Sequence, residues 1–275
     1  MRVGVVAAWG AGLASIGIGA AFLTAGFGGS AGKPKIQGLM ETCPPAVSIA
    51  PRGPGQPTDD ILGVRLGFTI SDVTATLKCV DESYKVRFES VWHTMERGAA
   101  TNQRQLLYAE RTRESVAVGF IGAPGQERAA ALWRTLRYEA REAPTLVAAE
   151  AELTRHFGPP QQATSTSVRR ILVWAYDPNG LPIKSAPDGS SAGGVFKRVG
   201  DWIAGAITIP QCAEHLKGSP LDRPEFDAQC GLTVRAEIEA DLQAPTKVAA
   251  VKIALADQAR AKAQIEAYRG TLEKR

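Results

Sequence analysis

The chain has 275 residues, 44 % of them hydrophobic and 22 % charged, with a net charge of +4. That composition excludes a disordered body and leaves room for one large or two small domains. The small positive balance is spread out, so it argues against nucleic acid as a partner, which requires a clustered basic face.

From Val3 to Gly32 no side chain is charged, and Arg2 stands just before this run. The run is long and apolar enough to enter a bilayer. A basic start, an apolar stretch and the small residues of Thr24–Gly32 follow the order of a secretory signal. The same length suits an uncleaved anchor. Charge bias does not choose between them, because Arg2 lies on one side and Lys33 and Lys35 on the other. Residues 1–32 are therefore expected to be a signal peptide or a membrane anchor. Either places the rest of the chain in the periplasm, secreted or held at the membrane by its N-terminal segment. Met40-Glu41-Thr42 before Cys43 is not the small, apolar run of a lipobox.

Residues 33–59 carry Pro44, Pro45, Pro51, Pro54 and Pro57 with Gly53 and Gly55, which suits an extended tether. An α+β domain is expected over 60–275, either whole or in two pieces, 60–183 and 195–275. Ser71 is the expected N-cap of a short helix buried through Val73 and Leu77. Strands follow at Tyr84–Phe88, Arg104–Thr112 and Ser115–Ile121, the last alternating through Val116, Val118 and Phe120. The interleaved charges here (Lys85, Arg87, Arg97, Arg104, Arg111 and Arg113 with Glu89, Glu96, Glu110 and Glu114) suit a solvated strand face. Gly122-Ala123-Pro124-Gly125 breaks the sheet before a strand at Leu132–Glu139.

Pro144 opens a helix with Leu146, Ala149 and Leu153 at helical spacing, and Gly158-Pro159-Pro160 ends it. Val168–Tyr176 is a strand with Val173 and Trp174 on opposite faces, and Ser185–Gly194 a surface loop able to act as a lid. Leu232–Glu239 and Ala249–Leu255 both alternate, the first with one wet face. Gln258–Lys274 closes the chain as a helix. The predicted architecture is an antiparallel sheet with helices packed on one face.

Four cysteines in an exported chain predict disulfides. Cys212 and Cys230 flank a short, turn-rich loop and are the expected first pair, which leaves Cys43 with Cys79. A zinc reading, with Cys212, His215, Cys230 and Asp227 as ligands, is the alternative.

Two segments carry a resemblance. Gly63-Val64-Arg65-Leu66-Gly67-Phe68-Thr69 precedes a helix, and Leu153-Thr154-Arg155-His156-Phe157-Gly158-Pro159-Pro160 precedes a strand with Trp174 and Tyr176. This layout resembles the BamE-like (SmpA/OmlA) outer-membrane assembly lipoproteins and their beta-lactamase-inhibitor-like relatives. The resemblance covers parts of residues 61–176. It implies two helices on a small antiparallel sheet and a binding role, and it transfers no site residue. The chain departs from the pattern in lacking the lipobox cysteine, in placing several strands between the two helices, and in adding residues 230–275.

No catalytic constellation emerges. His93, His156 and His215 fall on separate elements, His156 beside a helix C-terminus where the dipole favours it. Ser190-Ser191 lacks a nucleophile-elbow frame. The distant set Asp201, Trp202, His215 and Asp227 is the best candidate for an assembled enzyme site. Trp133, Trp174 and Trp202 suit core or sheet-face positions. The expected protein is a non-catalytic exported envelope module without cofactor or metal, binding an envelope protein; a small ligand or an assembled enzyme site are the alternatives.

Overall fold

The computed structural model describes residues 57–94, 101–123, 125–183, 208–218 and 226–272. The expected leader, and Cys43 within the tether, lie outside them. Every described residue belongs to one compact unit of the chain, Ile36–Arg275.

Two short strands, β1 (Asp60–Ile61) and β2 (Val64–Arg65), form a hairpin ahead of helix α1 (Ile70–Val80). Four strands follow: β3 (Lys85–Thr94), β4 (Thr101–Arg111), β5 (Glu114–Ile121) and β6 (Arg128–Arg137). Helix α2 (Leu146–Phe157) leads to four more, β7 (Gln162–Ser165), β8 (Arg169–Ala175), β9 (Leu232–Ala240) and β10 (Val248–Asp257). Helix α3 (Ile209–Glu214) lies between β8 and β9, and α4 (Gln258–Leu272) follows β10. Strands β3 to β10 form one antiparallel sheet in the order β3-β4-β5-β6-β10-β9-β8-β7. Among the described residues the fold is mixed, a large antiparallel sheet with four helices. Strands from both sides of residues 184–207 share the sheet.

The order contains one plan twice. A helix followed by four antiparallel strands occurs as α1–β6 and again as α2–β10, and the two sets meet antiparallel at β6 and β10. The caps agree in detail. Thr69 and Thr145 are both N-caps with φ near −74°, each accepting from the backbone N–H three residues on at 3.1 Å. Four and eight residues beyond each cap stand Val73 and Leu77, then Ala149 and Leu153, all fully buried. In both units the segment before the helix bonds to the start of that unit's last strand. Ala129 N–H donates to Phe68 O at 2.8 Å, and Val248 N–H donates to Pro144 O at 3.0 Å.

The cap of α1 is Thr69 rather than the expected Ser71. The Asp72 carboxylate reaches back to the Thr69 N–H at 3.1 Å while the Thr69 hydroxyl accepts from the Asp72 N–H, which completes a capping box only in that frame. Helix α2 ends as predicted at Gly158, whose φ of 84° favours glycine.

Helices α1 and α2 cover one face of the sheet. Their apolar stripes pack on Leu107, Val118, Leu132, Trp174, Ile238 and Ile253 in the main core. The Trp174 indole N–H donates to Gly158 O at 2.7 Å, tying β8 to the end of α2. The expectation of helices on one face needs correction, because α3 packs on the other. Ile209, Cys212 and Ala213 meet Val173 and Ala175, the β8 residues that alternate with Leu172 and Trp174. The reverse of β8 is apolar and requires its own cover.

Among the described residues, no helix is long and apolar enough to cross a membrane.

Candidate functional site

The face opposite α1 and α2, here the outer face, is where the sheet exposes chemistry. Strand register sets one transverse row across all eight strands: Arg87, Tyr108, Ala117, Trp133, Ala254, Arg235, Val173 and Gln162. Alternation along each strand turns all of these away from the main core. Trp133 stands mid-row with alanine on either side, so its half-buried indole has low neighbours. Beneath it Gly119 leaves room: a Cβ there would meet the Trp133 ring at 3.5 Å.

The row one step to one side is small and apolar, with Leu106, Gly119, Ala131, Ala256, Thr233 and Ala175. The insertion between β8 and β9 covers much of it, Leu216 and Phe226 packing with Ala131, Ala254 and Ala256. On the other side lies a polar row with Glu110, Ser115, Thr135, Lys252 and Glu237. At the boundary sits a hollow of about 450 Å³, floored by Ala117, Trp133, Thr135 and Ala254 and walled by Leu216.

Charges ring the hollow in fixed pairs. Arg235 and Arg169 both donate to Glu237, at 2.9 and 3.1 Å. Burial pushes the Glu237 carboxyl up, but these two hydrogen bonds and the guanidinium charges outweigh it and hold the group below its usual range. Lys252 Nζ meets Glu239 at 2.5 Å. The Arg87 guanidinium lies 4.5 Å from the Tyr108 ring centroid and pairs with Glu89 and Glu110. Burial, then the Glu89 carboxylate, raises the Tyr108 phenol. The hollow sets charged groups beside aromatic surface.

Two features hold the insertion on the sheet. Cys212 and Cys230 form the predicted disulfide, with Cα atoms 5.7 Å apart and both residues fully buried. Gln258, also buried, donates to Cys212 O at 2.8 Å and to the Thr233 hydroxyl at 3.2 Å, and accepts from Asp227 N–H at 3.3 Å. Sulfurs bonded to each other are not thiolate ligands, so the zinc alternative loses two of its four donors. Among the described residues no group of His, Cys, Asp and Glu could hold a metal ion. Asp227 instead closes a turn, its carboxylate accepting from Gln229 N–H at 2.9 Å. Cys79 lies on the exposed side of α1 and is disulfide-bonded; the pairing with Cys43 reaches outside the described residues.

His215 caps the end of α3, so of the assembled-site candidates it and Asp227 belong to the insertion, while Asp201 and Trp202 lie outside the described residues, as does Ser185–Gly194. His93 is on β3. His156 docks α2 onto the N-terminal hairpin, with Nε2 3.3 Å from Asp60 O and Thr58 donating to His156 O at 3.0 Å. Sequence patterning did not single out Tyr108, Arg235 or Lys252. The signal was present in the alternation of β9 and β10, but only register shows which positions line up.

No family model matches the chain, and no curated protein or solved structure is significantly similar to it.

Proposed function

We propose that this protein is a non-catalytic, exported cell-envelope module that binds a partner protein through the outer face of its sheet. The observation that carries this reading is the Tyr108–Trp133–Arg235 row: aromatic groups set among alanines and ringed by ions of fixed charge. Aromatic and arginine anchors at the centre of a patch are what protein interfaces rely on. The disulfide between Cys212 and Cys230 supports export, and the apolar run at 3–32 supplies the route, as a cleaved signal or as an anchor facing the periplasm. The likeness to BamE-like assembly proteins points the same way, toward binding.

Co-purification from envelope fractions tests the reading. A discrete protein recovered with the wild type and with Val147→Asp, on the helix face, but lost with Trp133→Ala supports it. Equal recovery with Trp133→Ala contradicts it. The hollow's volume also lies in the range of small-ligand pockets, so a metabolite that raises the melting temperature of the wild type but not of Trp133→Ala would favour a ligand binder instead.

A further inference from the structure

Strand β3 ends the sheet on one side, and its ten residues pair with β4 in unbroken register from Lys85↔Glu110 to Thr94↔Thr101. Among the described residues no strand lies beside its other edge. The opposite end of the sheet is β7, only four residues long. Long, regular edges template pairing with another chain, and proteins blunt them with bulges, prolines or charged side chains. Among Lys85–Glu89 there is no proline and no bulge, and the charges are of both signs. Phe88, within this stretch, is 53 % exposed.

We propose that β3 is the contact strand of a symmetric dimer, in which two copies pair their β3 edges antiparallel about an axis through Phe88. A two-fold axis normal to the sheet keeps each face on its own side, so opposed residues must share a face. Within Lys85–Glu89 that leaves five candidate registers, and centring on Lys85 sets Lys85 against its own copy. Centring on Arg87 sets Arg87 against its own copy, and centring on Glu89 does the same to Glu89. Centring on Val86 sets Lys85 against Arg87. Only the register centred on Phe88 places Arg87 opposite Glu89 twice while Phe88 meets Phe88. Arg87 and Glu89 are already an ion pair within one chain, so the dimer closes a ring of four charges with alternating sign. Opposite charges directly across strands stabilise a pair and like charges weaken it. The helices fall on the same side in both copies, and the two outer faces become one surface.

Sedimentation velocity of the purified intact chain over a concentration series tests this. The wild type is expected to show a reversible monomer–dimer equilibrium. Glu89→Arg and Arg87→Glu each place like charges across the axis and should weaken it on the order of tenfold. The double swap Arg87→Glu with Glu89→Arg restores the alternation and should recover wild-type affinity. All three positions of contact are solvent-facing on an edge strand, and circular dichroism checks that each variant is folded. A wild type that stays monomeric throughout, a dimer that neither single variant weakens, or a folded double variant as weak as the singles would each overturn the proposal.

Discussion

Arg134 and Glu114 sit diagonally across β6 and β5 on the helix-covered face, and the guanidinium Nε donates to the carboxylate with both side chains essentially buried. Arg111 donates to the same carboxylate and to Asp81 at 2.7 Å, carrying the charge outward toward α1. Within the main core this is a chain of ions that the alternation of β5 and β6 forces inward. Desolvating such a pair is costly, and removing one partner leaves the other's buried charge poorly compensated. Glu114→Ala or Arg134→Ala should each cost about 3–5 kcal/mol in chemical denaturation. Replacing both with Glu114→Leu and Arg134→Met should cost clearly less than either single change, because no charge is then stranded.

Asp81 predicts an acid limb. Hydrogen bonds from the Ser83 backbone and side chain, joined by Arg111, hold its carboxyl down to about 2. A depressed carboxyl contributes stability that is present above the unfolded value of about 3.9 and is lost as pH falls toward the folded one. Asp81→Asn should therefore flatten the fall in melting temperature between about pH 4 and pH 2. An unchanged slope would assign that fall to other carboxylates.

Alkaline pH acts in the opposite sense. Burial lifts the Tyr138 phenol to about 12, and burial with the nearby Glu114 charge raises Tyr84 beyond the tyrosine range. Raised phenols favour the neutral form in the fold, so their contribution is complete below about pH 10 and is lost as pH rises toward the folded values. Absorbance at the tyrosinate band should show both groups still neutral at about pH 11, ionising only with unfolding. Tyr138→Phe should reduce the loss of stability over that interval.

Gly231 is a steric requirement. A Cβ at this position would lie 2.1 Å from Asp177 O and 2.7 Å from Asp177 C, both backbone atoms. The glycine joins the disulfide loop to β9 and donates to Tyr176 O at 2.8 Å, so Asp177 cannot retreat without breaking that bond. Gly231→Ala should cost about 2 kcal/mol or more. Limited proteolysis should then cut first inside the insertion between β8 and β9. Wild-type resistance in the variant would show that the loop gives way freely.

Legibility in the sequence followed the strength of local pattern. The alternating runs of β5, β9 and β10 and the glycine stop of α2 can be read directly, since each is set by residues adjacent in the chain. The Cys212–Cys230 pair also follows from local spacing. Polar β7 (Gln162–Ser165) and six-residue α3 carry too few apolar positions to register as elements. The expected wet face of β9 is the instructive difference. Thr233 and Glu237 are 0 and 7 % exposed, because Gln258 and the insertion lie over the first and two arginines over the second. Likewise the interleaved charges of β3 to β5 divide between faces. Lys85, Arg87 and Glu110 face out as expected, while Arg111 and Glu114 turn inward. The duplication escapes notice because only the threonine cap and two apolar positions repeat, and those are common in any helix. The outer-face row belongs to eight separate strands, so no local window contains it.

On the proposed reading the outer face, and not the helix-covered one, is the contact surface. Site-specific photo-cross-linking in cells tests it most directly, with the reactive group placed in turn at Thr135 and Lys252 on the outer face and at Val147 on α2. One adduct of discrete mass is expected from Thr135 and Lys252, abolished by Trp133→Ala, and none from Val147. Adducts from Val147 with none from the two outer-face positions would contradict it.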